Sequence, residues 1–173
     1  MKFGSYGIEV LEASDGLRVS SLYSVHDGFR INRTFAVVAY PDVIEPAFKK
    51  EHAAIINGQS IGILFKERGW AIKKQHLYFG EIEVPFGYFS MADRAGFSAG
   101  VRSAIHVYAL MVKKDDSEFQ YARIAEVHHP EFLQLRDLID IYGQEFENQH
   151  AGTVDMDDVF KMIESNWPGT PSR

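Results

Sequence analysis

A glutamate within an apolar stretch is the residue whose setting most strongly suggests chemistry. Glu126 stands between Ala125 and Val127, four residues before Pro130, in a segment typical of a β-strand. Burial in such a strand raises the pKa of a carboxyl group, which can then act as a general acid or form the wall of a ligand pocket. The alternative is a hydrated glutamate on the solvent face of an edge strand.

Arginines in and near the first predicted hairpin are candidates for binding an anion. A guanidinium group holds a carboxylate through two parallel hydrogen bonds, which suits it to recognising organic acids. Arg30 and Arg33 are an odd number of residues apart and face opposite sides of a regular strand, so at most one of them enters a cavity. We expect Arg33 or Arg18 to contact an anionic ligand, with surface salt bridges as the alternative.

Two further segments supply candidate ligand contacts. The segment 58–62 lacks the Lys-Ser/Thr of a P-loop and the third glycine of a dinucleotide fingerprint. A helix that begins near Ser60 can nevertheless hold a carboxylate through its free N–H groups, although a simple helix cap is the alternative. The segment 85–103 is rich in aromatic residues and glycine, and long loops often cover functional sites. Phe89 is the candidate contact from this loop.

Composition excludes several classes of function. The chain has no cysteine, which excludes disulfides, thiolate metal sites and thiol nucleophiles. His128 and His129 point to opposite faces of a strand, so we expect no metal site. The net charge of -6 argues against nucleic-acid binding, and it favours a solvated face for Lys73 and Lys74. No stretch approaches the roughly 20 apolar residues of a membrane span. We therefore expect a cytoplasmic protein that contacts neither nucleic acid nor membrane.

The elements that must position these groups follow an α+β pattern. Hairpins are predicted over residues 17–40, with Asp27-Gly28 as the turn, and over 104–129, and a long strand is predicted over 70–84. Helices are predicted over residues 42–57, 60–69, 131–142 and 155–165. We expect a mostly antiparallel sheet of five to six strands with helices packed mainly on one face. Residues 1–153 would form a single domain, with 154–173 as a C-terminal helix and tail packed on it.

The two hairpins resemble each other. Each ends in a proline, Pro41 or Pro130, which is followed by an acidic residue and two apolar residues that suit the start of a helix. The order strand, acidic turn, strand, proline, helix therefore occurs twice. It indicates an internal pseudo-duplication, with coincidence as the alternative, since strand–proline–helix junctions are common.

This order of elements resembles the chorismate lyase-like fold group. The resemblance covers residues 17–133, and it is carried by the Asp27-Gly28 turn with the strand end 36–41, by the segment 59–65, and by the segment 121–130. The group includes chorismate pyruvate-lyases and the effector-binding UTRA domains of GntR-type transcription regulators. The resemblance implies a ligand held between the sheet and the helices.

The resemblance also implies particular residue roles. Chorismate lyases hold their dianionic substrate with two arginines and use a glutamate as the acid, and Glu126 stands at the position of that glutamate. The arginine expected four residues before the first proline is absent, because Val37 occupies that position. Arg18 and Arg33 would have to replace it. The elimination needs no cofactor in this family, so none is expected here.

Three functions remain open as hypotheses. The first is a small-molecule-binding domain for an organic acid or an aromatic ligand held between sheet and helices. The second is a carbon–oxygen lyase similar to chorismate pyruvate-lyase. The third is a homodimeric interaction protein without a ligand, which would pair through a sheet edge or the C-terminal helix.

Overall fold

The computed structural model describes residues 6–14, 16–84, 95–143 and 153–164, which form one seven-stranded sheet with helices. The strands lie in the order β1-β2-β3-β6-β5-β4-β7, and every neighbouring pair is antiparallel except β4 and β7, which are parallel. The strands are β1 (Tyr6–Ser14), β2 (Leu17–His26), β3 (Phe29–Ala39), β4 (Ala71–Glu83), β5 (Arg102–Lys114), β6 (Ser117–His128) and β7 (Thr153–Val154). The helices are α1 (Lys49–Ile56), which a 3-10 turn (Pro46–Phe48) precedes, α2 (Ile61–Glu67), α3 (Leu135–Tyr142) and α4 (Met156–Glu164).

The structure confirms the α+β class and the mostly antiparallel sheet, but the predicted number of strands was too low. Both predicted hairpins are present, as β2–β3 and β5–β6. The first turns at Asp27 and Gly28, whose φ values of 49° and 80° explain the choice of this dipeptide, because asparagine, aspartate and glycine tolerate the left-handed conformation. The additional strands are β1, which pairs with β2 at one edge, and the two-residue β7.

Two helices begin later than the sequence predicted. The helix predicted from residue 42 begins as a 3-10 turn at Pro46, where a missing N–H is tolerated, and becomes α-helical at Lys49. The helix predicted from residue 131 begins only after Gln134. There Gln134 and Asp137 form a capping box, in which the Gln134 N–H donates to Asp137 Oδ2 at 2.7 Å.

Helices cover both faces of the sheet. Helices α1 and α2 pack on one face around Phe48, Phe65 and Tyr121, all buried. Helix α3 packs on the same face through Leu138, and α4 covers the opposite face through Val159 and Ile163. Three of the four described helices therefore share a face, and that face carries the residues that matter below.

The division of the chain between residues 153 and 154 stays a prediction. Residue 154 belongs to β7, so β7 crosses the proposed boundary at 153/154, and α4 packs on the sheet. Hairpins β2–β3 and β5–β6 meet through the β3–β6 pair, while the internal duplication stays a prediction. None of the helices in the described ranges combines the length and apolar composition that a bilayer crossing requires.

Candidate functional site

A cavity of about 210 Å³ lies between the sheet and the start of helix α2. Its aliphatic lining residues are Ile8, Leu22, Ala36, Val38, Ile61, Ile72, Leu110 and Ile124. Its polar lining residues are Arg18, Ser60, Lys74, Tyr108 and Glu126. The structure therefore brings three residues predicted from the sequence, Arg18, Ser60 and Glu126, to one cavity.

Glu126 projects from an interior strand into this cavity. Strand β6 lies between β3 and β5, where Glu126 pairs with Ala36 on one side and His106 on the other, so the edge-strand alternative does not apply. Its side chain is 16% exposed. Oε1 accepts a hydrogen bond from the Tyr108 hydroxyl at 3.0 Å, and Oε2 accepts one from Lys74 Nζ at 3.4 Å.

The carboxyl group of Glu126 is ionised at neutral pH. Burial alone raises its pKa, as the sequence predicted, but the nearby positive charge of Lys74 and the hydrogen bonds from Tyr108 and Lys74 outweigh burial and leave the pKa below its usual value. The prediction of a raised pKa was therefore wrong. An ionised carboxylate only accepts hydrogen bonds, so in this state Glu126 forms a negative wall of the cavity and has no proton to donate.

Lys74 was predicted to be solvated, and the structure corrects this. Ile72 and Lys74 are two residues apart on β4, so both side chains lie on the face that lines the cavity. The lysine side chain is 33% exposed. Its Nζ also lies 4.3 Å from the centroid of the Tyr108 ring and 5.6 Å from that of Tyr142. Lys73 is exposed, so the expectation of a solvated lysine holds for that neighbour.

Arg18 lines the cavity, but its guanidinium group already has partners. Its side chain is buried, with 4% of the residue exposed. Nη1 donates to the carbonyl oxygens of Ile55 at 2.9 Å and Gln59 at 3.3 Å. These carbonyls belong to the end of α1 and the connection to α2, where the helix itself supplies no donors. Arg18 therefore stabilises the end of α1.

Ser60 serves as the N-cap of α2 and also faces the cavity. Its Oγ accepts a hydrogen bond from the Ile63 N–H at 3.5 Å. The helix-cap alternative is thus realised, and the hydroxyl hydrogen remains a donor.

Two predicted residues lie elsewhere. Arg33 stands at a β-bulge of β3 and is not part of the cavity wall. Its Nε donates to Ser24 Oγ at 2.9 Å, and its guanidinium group lies 4.9 Å from the centroid of the Phe132 ring. Phe89 lies outside the described residues, as does the rest of segment 85–94.

A group of histidines adjoins the cavity and was not predicted. His106 is fully buried, stacks on Phe79 and makes a 2.8 Å hydrogen bond between its Nε2 and His76 Nδ1. Burial, followed by the charge of Lys74, lowers the pKa of His106 to about 2, so the ring is neutral. His128 is buried beside it in the same face, and its Nδ1 shares a 3.0 Å hydrogen bond with Thr34 Oγ1.

Metal binding receives no support from this group. Within the described ranges, no three His, Asp or Glu side chains are placed to hold a metal ion. Comparison with known proteins adds no assignment, since no protein-family model matches the sequence and no curated protein is similar enough to count as a relative.

Proposed function

We propose that this protein binds a small organic acid in the cavity between the sheet and helix α2. The observation that carries the proposal is the composition of the cavity wall, in which aliphatic side chains surround a lysine, a serine hydroxyl, a tyrosine hydroxyl and a carboxylate. Ligand sites are typically apolar with a few converging polar groups. An acid with a hydrocarbon or aromatic body matches both parts of this wall.

The size of the cavity limits the ligand. Cavities for drug-sized ligands measure about 300–1,000 Å³, and an apolar cavity of about 150 Å³ holds benzene. A volume of about 210 Å³ therefore suits one ring, or an aliphatic chain of similar size, that carries one or two small polar groups such as a carboxylate.

The observations favour binding over lyase chemistry. A reaction like that of chorismate lyase requires two arginines and a protonated glutamate at the ligand. Of the two arginines suggested for this role, Arg18 lines the cavity and holds the end of α1, while Arg33 lies away from it. Glu126 is ionised at neutral pH. Membership of the chorismate lyase-like fold group is kept as a proposal based on the order of elements.

The test is a calorimetric titration with benzoate, combined with a variant that fills the cavity. Ala36→Ile places extra methyl groups into the cavity from an interior strand, which accepts β-branched residues. Ala71→Ile is the matched control, because Ala71 is exposed at the start of β4. We expect heat of binding in the wild type and the control and none in Ala36→Ile. Unchanged binding in Ala36→Ile would place the ligand outside this cavity and refute the proposal.

A second assay separates binding from catalysis. The protein is incubated with chorismate, and pyruvate and 4-hydroxybenzoate are measured by chromatography, with Glu126→Gln run in parallel. We expect no product. Turnover that the Glu126→Gln variant loses would replace the binding proposal with the lyase.

Sedimentation of the ligand-free protein tests the third hypothesis, a homodimer.

A further inference from the structure

Three charged side chains line the cavity, and they differ in how free they are to meet a ligand. Arg18 is 4% exposed, and its Nη1 is shared between two carbonyl oxygens at the end of α1. Moving the guanidinium group toward a ligand would leave those carbonyls without their donor. Arg18 therefore contributes a positive charge at a fixed position and is not available to follow a ligand.

Lys74 is the cation that can move to a ligand. Its ammonium group has a long hydrogen bond of 3.4 Å to Glu126 and lies over the Tyr108 ring. Its side chain is 33% exposed and carries four rotatable bonds, so the ammonium group reaches different points of the cavity wall without moving the backbone.

Glu126 supplies a negative charge that stays in place. It belongs to an interior strand, its carboxylate accepts a hydrogen bond from Tyr108 at 3.0 Å, and its side chain is largely buried. Because Glu126 lines the same cavity of about 210 Å³, a second anionic group on a bound ligand would come close to this carboxylate. Like charges at such separations repel strongly in a partly desolvated site.

We propose that the cavity selects monoanions over dianions, with Lys74 binding the single anionic group and Glu126 excluding a second one. This inference rests on the proposed function, since it names the charge class of the acid that the same cavity binds. Because an ammonium group is a point charge, it imposes no planar geometry on its partner. Carboxylates and sulfonates with one negative charge therefore both qualify.

The experiment compares two ligands of the same shape and different charge. Benzene-1,3-dicarboxylate is a dianion at about pH 7.5, and 3-carbamoylbenzoate replaces one carboxylate by a neutral amide. In calorimetric titrations of the wild type we expect the dianion to bind about 30-fold more weakly than the monoanion. In Glu126→Gln, which keeps an acceptor for Tyr108, we expect this ratio to fall to about threefold or less.

Lysine variants identify the binding cation. Lys74→Met keeps the length of the side chain and removes its charge, and we expect at least about tenfold weaker binding of 3-carbamoylbenzoate. Lys73→Met is the matched control, because Lys73 is the preceding residue of the same strand, is exposed and is not part of the cavity wall. We expect it to bind as the wild type does. Circular dichroism spectra of each variant test whether it is folded.

Each result decides between the two proposals. Equal affinity of the wild type for the two ligands, or equal losses in the two lysine variants, would refute the charge selection while binding to the protein remains. If benzoate, 3-carbamoylbenzoate and benzene-1,3-dicarboxylate all fail to bind, the proposed function itself is refuted.

Discussion

Arg18 and the carbonyl oxygen of Ile55 form a buried hydrogen bond of 2.9 Å that joins strand β2 to the last turn of helix α1. A hydrogen bond with a charged donor contributes about 1.5–3 kcal/mol, and its removal leaves a buried carbonyl without a partner. The bond therefore links the stability of α1 to that of strand β2.

Arg18→Met is expected to lower the free energy of unfolding by about 2–3 kcal/mol, because it keeps the apolar stem and removes the donor. Urea unfolding followed by circular dichroism measures this change. Arg136→Met serves as the control, since the Arg136 side chain is 79% exposed, and its effect should stay within about 0.5 kcal/mol. A value near zero for Arg18→Met would mean that water replaces the guanidinium group at the end of α1.

Two residues of helix α2 should differ in how much their replacement by alanine lowers the free energy of unfolding. Phe65 is fully buried among aromatic rings, whereas Ile63, two residues earlier, is 51% exposed. Phe65→Ala is expected to cost about 3–5 kcal/mol through lost transfer free energy and the cavity that remains. Ile63→Ala should change the unfolding free energy by no more than about 0.5 kcal/mol. Similar values for the two variants would contradict the orientation of α2 described above.

Stability is expected to fall on acidification well before carboxylates titrate. Burial lowers the pKa of His106 to about 2 from the ordinary value of 6.5, so the unfolded chain takes up a proton below pH 6.5 that the folded protein does not. The stability that the neutral His106 ring contributes is therefore fully present above pH 6.5 and is lost progressively as pH falls toward the pKa of the folded state. Between about pH 7.5 and 5.0 the loss from this group is about 2 kcal/mol.

The measurement is the unfolding free energy at several pH values in His106→Phe and in the wild type. The charged and titratable groups near His106 are Lys74, His76, Tyr108, Glu126, His128 and Tyr142. Glu126 does not disturb the comparison, because its pKa lies below its ordinary value of 4.5. We expect a flatter pH dependence in His106→Phe and an unchanged one in His26→Gln, since the His26 side chain is 74% exposed. An equal slope in all three proteins would exclude the buried neutral ring as its cause.

Two glycines should respond to alanine with opposite signs. Gly28 has a φ of 80° in the first hairpin turn, so Gly28→Ala should cost about 1–2 kcal/mol although open space surrounds the site. Gly62 lies within α2, and an added Cβ would meet Ile72 Cδ1 at 3.8 Å, an ordinary contact. Gly62→Ala should therefore stabilise the fold by about 0.5–1 kcal/mol. The thermal unfolding midpoint of each variant measures this. A shift of both midpoints in the same direction would contradict the prediction.

Local signals in the sequence were sufficient for most of the fold. The Asp27-Gly28 turn and the apolar alternation of the flanking strands predicted the β2–β3 hairpin, and Ser60 marked the start of α2. Strand β1 was missed because its polar residues, including Glu9 and Glu12, weaken the apolar pattern at an edge of the sheet. Strand β7 has only two residues and exists through its pairing with β4, which no local pattern encodes.

The candidate site was only partly predictable, for a similar reason. Glu126 was found because a carboxylate in an apolar strand is conspicuous, but its ionisation depends on Lys74, which lies 52 residues away in the chain. Lys74 itself has the sequence context of a solvated lysine pair. Its burial depends on which face of β4 the helices cover, and that is a property of the assembled sheet.

The position of β3 beside β6 also affects how the chain reaches its folded state. Thr34 and His128 share a hydrogen bond across this pair although 94 residues separate them. Each hairpin can form locally, but the pair that joins them cannot form until residue 128 is available, and such distant contacts slow folding. During synthesis on the ribosome, β3 of the β2–β3 hairpin therefore has an unpaired edge until β6 has been made. Unpaired strand edges of this kind are prone to associate with other chains.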